Sequence, residues 1–191
     1  MIAAARRCRA AAGVPRLILL SDPRRLPDPR AAAERLPRGA AVLARGLPPT
    51  ALAGLARLCR RRGLLLLVGG DGRAALGHRA GLHVPDRAPV RGLLPVLLRR
   101  RGRRPPPLSC AAHGRAGIGR ARRLRADWIL LSPAFPTGSH PGAPALGPLR
   151  WAALARAAGR PCVALGGVSA ATAGRLPPRR MAGLAAIGAW L

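Results

Sequence analysis

Short apolar runs recur along the chain at residues 17–20, 41–44, 64–68, 81–84, 108–112, 128–131, 162–165 and 183–187. None of them alternates cleanly between apolar and polar positions, the pattern of a strand covered on both faces. Between the runs lie Ala-, Leu- and Arg-rich segments whose apolar positions recur every three to four residues, at 50–62, 90–100, 114–124 and 149–158. These read as helices. Buried strands separated by helices predict a parallel sheet with helical crossovers, and eight such units predict a closed (β/α)8 barrel of the TIM type. With 191 residues the chain is short for that architecture, so most helices are expected to be brief. Only a few residues follow the eighth run, so the last helix is expected to be truncated. The boundaries expected are one barrel domain over residues 1–191, with 1–15 as a loose N-terminal extension.

Composition changes this picture little. The net charge is +28, and all 34 basic residues are arginine; the chain contains no Lys, Asn, Gln or Tyr. GC-rich codons alone would produce that skew. Aromatic residues are 2% of the chain and no nucleic-acid reading module is visible, which argues against sequence-specific nucleic-acid binding. Scattered arginines are expected to give only non-specific attraction to polyanions. The segment R-R-R-G-R-R-P-P-P at 99–107 reads as a solvated helix end followed by a polyproline lead into the fifth run. Cys8, Cys59, Cys110 and Cys162 are far apart, and the basic start lacks the apolar stretch of a signal peptide. No apolar run is long enough to cross a bilayer. A reduced, cytoplasmic protein is the expectation; a homo-oligomeric assembly stays open.

Candidate chemistry collects just after the runs. Arg45 follows the second, His83 and Asp86 the fourth, and His113 the fifth. Ser132, Thr137, Ser139 and His140 follow the sixth, Gly166 and Gly167 the seventh, and Gly188 the eighth. In a barrel all of these face one mouth, where the loops after the last two strands commonly cradle phosphate. Adjacent glycines suit that task, because without a Cβ the backbone amides can close on phosphate oxygens.

Several stretches carry a family resemblance: L-I-L-L-S-D at the first run, V-L-A-R at the second, R-A-G-L-H-V-P at the fourth and A-A-H at the fifth. The sixth adds A-D-W-I-L-L-S-P-A-F-P-T-G-S-H-P, the seventh V-A-L-G-G-V and the eighth A-G-L-A-A-I-G. Together they resemble the thiamine phosphate synthase family and its thiazole tautomerase (TenI-like) relatives. The resemblance implies a transferase that couples a pyrimidine diphosphate to a thiazole phosphate with release of diphosphate, assisted by Mg²⁺. Carried over by residue, Thr137, Gly138, Ser139, Ser132, Gly166, Gly167, Ile187 and Gly188 match the thiazole-phosphate half. The diphosphate half is eroded. Of a Gln-x-Arg-x-Lys motif at the second run only Arg45 remains, beside Leu43 and Leu47, and a Lys after the sixth becomes His140. A strand-five Ser becomes Ala111. Asp71 and Asp86 lie close to, but not at, the two metal-binding positions. His113 matches a histidine of the tautomerase branch, whose other catalytic histidine corresponds to Pro133. The resemblance thus implies catalytic roles for Arg45, His140 and His113. It leaves two alternatives: a non-catalytic phosphate-ligand-binding paralogue, or a tautomerase-like isomerase.

Overall fold

In a computed structural model, which describes residues 1–138, 142 and 144–187, eight parallel strands close into a barrel. The strands are β1 (Leu17–Leu20), β2 (Ala41–Ala44), β3 (Leu65–Gly69), β4 (Gly81–Val84), β5 (Leu108–Ala112), β6 (Trp128–Leu131), β7 (Cys162–Ala164) and β8 (Gly183–Ala186). Each pairs with its sequence neighbour, and β8 closes on β1 with Leu17 opposite Leu184 and Leu19 opposite Ala186. The helices described are α1 (Ile2–Arg6), α2 (Arg30–Glu34), α3 (Pro49–Arg62), α4 (Gly72–Gly77), α5 (Leu93–Arg99), α6 (Arg115–Arg123), α7 (Gly147–Ala157) and α8 (Ala170–Ala173). Most are short, as the chain length requires.

Both faces of each strand are covered, which explains the missing alternation. Ile18, Leu20, Leu43, Leu67, Trp128 and Leu130 fill the barrel interior, while Leu17, Leu19, Val42, Val68 and Leu131 belong to the layer under the helices. Trp151 of α7 is fully buried against β6, where its indole N–H donates to the Leu131 carbonyl at 3.1 Å.

Two expectations need correction. The helix expected over 90–100 begins only at Leu93. Arg91 forms an isolated parallel bridge with Asp71 and exchanges hydrogen bonds with Gly70 and Gly72, and Gly92 turns left-handed at φ 62°. A tertiary pairing has taken those residues from the helix. Nor does 1–15 hang loose from the barrel. Ala5 and Cys8 are buried, the Arg9 N–H donates to the Met181 carbonyl at 2.9 Å, and Ala11 and Val14 pack against the interior cluster. Apolar side chains at 5, 8, 11 and 14 give this stretch somewhere to go. The residues after Ile187, and with them the question of a final helix, lie outside the described part.

Candidate active site at the barrel mouth

The carboxyl ends of the strands converge on one mouth, and the side chains there are held by neighbours from adjacent strands. At β1 and β2, the buried Ser21 hydroxyl accepts from the Arg45 N–H at 2.6 Å and donates to its carbonyl at 3.0 Å. The Arg45 guanidinium donates to the Ser21 carbonyl at 2.9 Å and pairs with the Asp22 carboxylate at 3.2 Å. Burial lowers the Arg45 pKa and Asp22 opposes that fall, so the group remains a cation. Burial pushes Asp22 the other way. The Arg25 and Arg24 amides and the Arg45 charge outweigh it and hold the carboxyl below its usual range. Arg45 is therefore anchored, with its side chain 36% exposed. Sequence reasoning passed over Ser21 and Asp22, although S-D directly after the first run was the available signal.

The acids expected near a metal have other partners. Asp71 is the N-cap of α4, its Oδ1 accepting from the Ala74 N–H at 2.9 Å. Asp71→Ala should cost about 1 kcal/mol through loss of that cap. Urea unfolding tests it, and an unchanged midpoint would show that the cap contributes nothing. Asp86 Oδ2 lies 2.6 Å from His113 Nδ1 and also accepts the His113 backbone N–H at 3.2 Å. The Arg120 guanidinium braces this loop from α6, donating to the Pro85 and Asp86 carbonyls at 2.6 and 2.9 Å. Protein-bound Mg²⁺ needs near-octahedral oxygen donors, with one or two carboxylates joined by water and substrate phosphates. Asp71 and Asp86 each spend an oxygen elsewhere, and no three His, Cys, Asp or Glu side chains converge among the described residues. Asp71 Oδ1 and Asp86 Oδ2 being committed, an ion here would depend on water and substrate phosphates for most of its shell.

His113 stands just after β5, with its side chain 44% exposed and its Nδ1 held against the Asp86 carboxylate. His83 is different. It is buried inside the barrel against the Ser109 hydroxyl at 2.9 Å, and burial, reinforced by the Arg45 charge, pushes its pKa down to about 3. It is a neutral structural residue.

On the opposite wall, the loop after β6 is stitched to the end of β7. Ala134 N–H donates to the Leu165 carbonyl at 2.8 Å and Phe135 N–H to that of Gly166 at 3.0 Å. Gly166 and Gly167 are both left-handed, at φ 88° and 62°. A Cβ on Gly166 would stand 2.8 Å from Pro133, and one on Gly167 would overlap the Pro136 carbonyl and stand 2.8 Å from the Phe135 Cβ. This close approach packs the Phe135–Pro136 part of the loop directly on Gly167. Ser132 is buried at the foot of the loop, and Ile187 packs on the interior cluster at the end of β8. Among the described residues, the N–H groups of Gly166, Gly167 and Val168 have no acceptor. Successive backbone N–H groups left without acceptors at a strand end are the kind of donors an anion can use. Ser139, His140 and Gly188 lie outside the described residues.

The sequence profile described as thiamine monophosphate synthase matches residues 50–190. The chain belongs to that family. This synthase-family barrel superposes on the thiamine phosphate pyrophosphorylase from Pyrococcus furiosus with a TM-score of 0.70 at 20% identity, covering 90% of this chain and 85% of that one. The 2-keto-3-deoxy-6-phosphogluconate aldolase of Zymomonas mobilis, in a structure with 3-phosphoglycerate, gives 0.62 at 14% identity, covering 97% and 83%. At such identities both likenesses show the fold alone. No curated protein matches the sequence significantly.

Proposed function

We propose that this synthase-family barrel binds a thiazole phosphate on its β6–β8 side and joins it to a pyrimidine diphosphate, releasing diphosphate. The supporting observation is the run of Gly166, Gly167 and Val168 N–H groups without acceptors among the described residues, packed beneath Phe135 and Pro136 of the loop after β6. These amides would hold the phosphate and fix the thiazole ring toward the barrel axis. Arg45, across the mouth, would meet the charge that develops on the departing diphosphate. Asp22 tempers that cation, and Leu43 below it is fully buried and apolar, so the diphosphate wall is thinly provided.

Two or three amide bonds to an anion are worth about 3 kcal/mol together, a factor of about a hundred in affinity. Calorimetry should therefore show thiazole phosphate binding about a hundredfold more tightly than the corresponding alcohol. Equal affinities would remove this reading. If diphosphate is released, Arg45→Ala should lower kcat/KM by about tenfold or more.

A second reading rests on the His113–Asp86 pair. An imidazole oriented by a carboxylate is an acid–base device, which suits an isomerase acting on a bound phosphorylated thiazole. Solvent deuterium entering the ligand in a His113-dependent way, without diphosphate release, would favour it. Thiazole phosphate binding with neither reaction would favour the non-catalytic paralogue.

A further inference from the structure

We propose that the barrel face opposite the mouth is a docking surface for the phosphate backbone of a nucleic-acid duplex, centred on the connections α5–β5 and α6–β6. The charge is not scattered as the sequence suggested. Of the connections that lead into β2 through β8, all but the two-residue Gly63–Leu64 link before β3 carry arginine, α3 before that link ends on Arg60, Arg61 and Arg62, and about two thirds of all 34 arginines lie on this side. Asp22, Asp28, Asp71 and Asp86 lie at the mouth end. The two connections named are neighbours because β5 pairs with β6, and the Arg100 guanidinium spans them, donating to the Arg125 carbonyl at 3.0 Å. Arg100 also takes both oxygens of Asp127, at 2.8 and 3.0 Å, and the Pro106 carbonyl at 2.6 Å. It thereby orders the loop and neutralises the acid of this region. Arg99, Arg101, Arg103, Arg104, Arg123 and Arg125 are left exposed, and none has an acidic partner among the described residues.

The ordinary explanation for arginine here is the helix dipole, since helix C-termini all point to this face. That accounts for Arg122, which donates to the Ala157 and Ala158 carbonyls at the end of α7, and for Arg99 in the last turn of α5. Arg101, Arg103 and Arg104 lie beyond the helix, where the dipole effect has faded. Guanidinium groups dock two-pronged on phosphate oxygens. Neither connection holds an aromatic side chain on which unpaired bases could stack, which disfavours a single strand. Nor does 99–107 contain a large apolar side chain to enter a bilayer; the exposed Leu94 and Leu98 run along the flank of α5 and not across the end of the barrel.

The test is fluorescence anisotropy with labelled duplexes of about twenty base pairs, one DNA and one RNA, of mixed sequence. Six phosphate contacts predict affinity falling with salt at a log–log slope of about −5 between roughly 50 and 200 mM. Replacing Arg101, Arg103 and Arg104 together by Ala should flatten that slope by about 3 and weaken binding more than tenfold. Replacing the mouth-side Arg73, Arg87 and Arg150 removes the same charge and should weaken binding less than about threefold. Binding of either duplex in this pattern supports the proposal, and the tighter one names the source of the backbone. Equal loss in the two triple variants would overturn it, as would preferential binding to a single strand or to phosphatidylserine vesicles at matched charge. Duplex protection of wild-type arginines from phenylglyoxal, mapped by mass spectrometry, needs no variant to fold. Protection of Arg73, Arg87 and Arg150 in place of Arg101, Arg103 and Arg104 would likewise overturn it.

Discussion

Replacing Gly167 with alanine should destabilise the protein by about 3 kcal/mol and abolish binding of the phosphorylated thiazole. Gly167 sits at φ 62°, where a side chain costs roughly 1 to 2 kcal/mol in any surroundings. The surroundings are also closed. The added Cβ would overlap the Pro136 carbonyl and stand 2.8 Å from the Phe135 Cβ and carbonyl, and backbone cannot swing aside as a long side chain can. Two hydrogen bonds, from Ala134 to Leu165 and from Phe135 to Gly166, tie that backbone to the end of β7. Relief requires the loop after β6 to lift away from the Gly166–Val168 amides. Gly138→Ala is the control, since among the described residues nothing lies within 4 Å of its added Cβ and its φ is not left-handed. It should shift stability by no more than about 0.5 kcal/mol. Urea midpoints with unchanged m-values, and calorimetry with thiazole phosphate, measure both effects. Native stability in Gly167→Ala would mean that the close approach is not a constraint.

Acidification should weaken the fold well before most carboxylates titrate. His83 has its pKa pushed from an ordinary 6.5 to about 3, because burial in the barrel interior, and then the nearby Arg45 charge, oppose its protonation. The unfolded chain takes up that proton first. Between these two values the unfolded state binds more protons, so stability is fully present above about pH 6.5 and declines as pH falls. The limiting slope is about 1.4 kcal/mol per pH unit, or about 3 kcal/mol lost by pH 4. His83→Gln keeps a polar partner for Ser109 and removes the titration, so its stability should be flatter between pH 6.5 and 4.5. Subtracting the two profiles cancels the other histidines. Parallel profiles would show that His83 is not the group responsible.

The barrel itself was legible in the sequence. Each strand is covered on both faces, so its burial is written into the strand's own composition, and eight such runs at regular spacing leave little choice of topology. The glycine pair after β7 was legible too, but its reason was not. It reads as a phosphate cradle, while the structure adds that two neighbouring backbone segments leave no room for a Cβ at either position.

Asp71 shows the limit from the other side. Standing just after a strand, it invites a metal role, yet the same position caps the following helix, and an N-cap acid and a metal ligand look alike in one dimension. Asp86 and His113 are 27 residues apart and meet only because β4 and β5 are adjacent. The arginines teach the same lesson at larger scale. Their number is a property of the chain, but their collection on one end of the barrel follows from parallel topology, which sends every helix C-terminus and its following connection to the same face. The chain alone therefore determined the strands, their order and the end at which chemistry gathers, because burial and turn formation are local. Tertiary structure alone decided which side chains meet, because closing the barrel brings together residues that no local pattern relates.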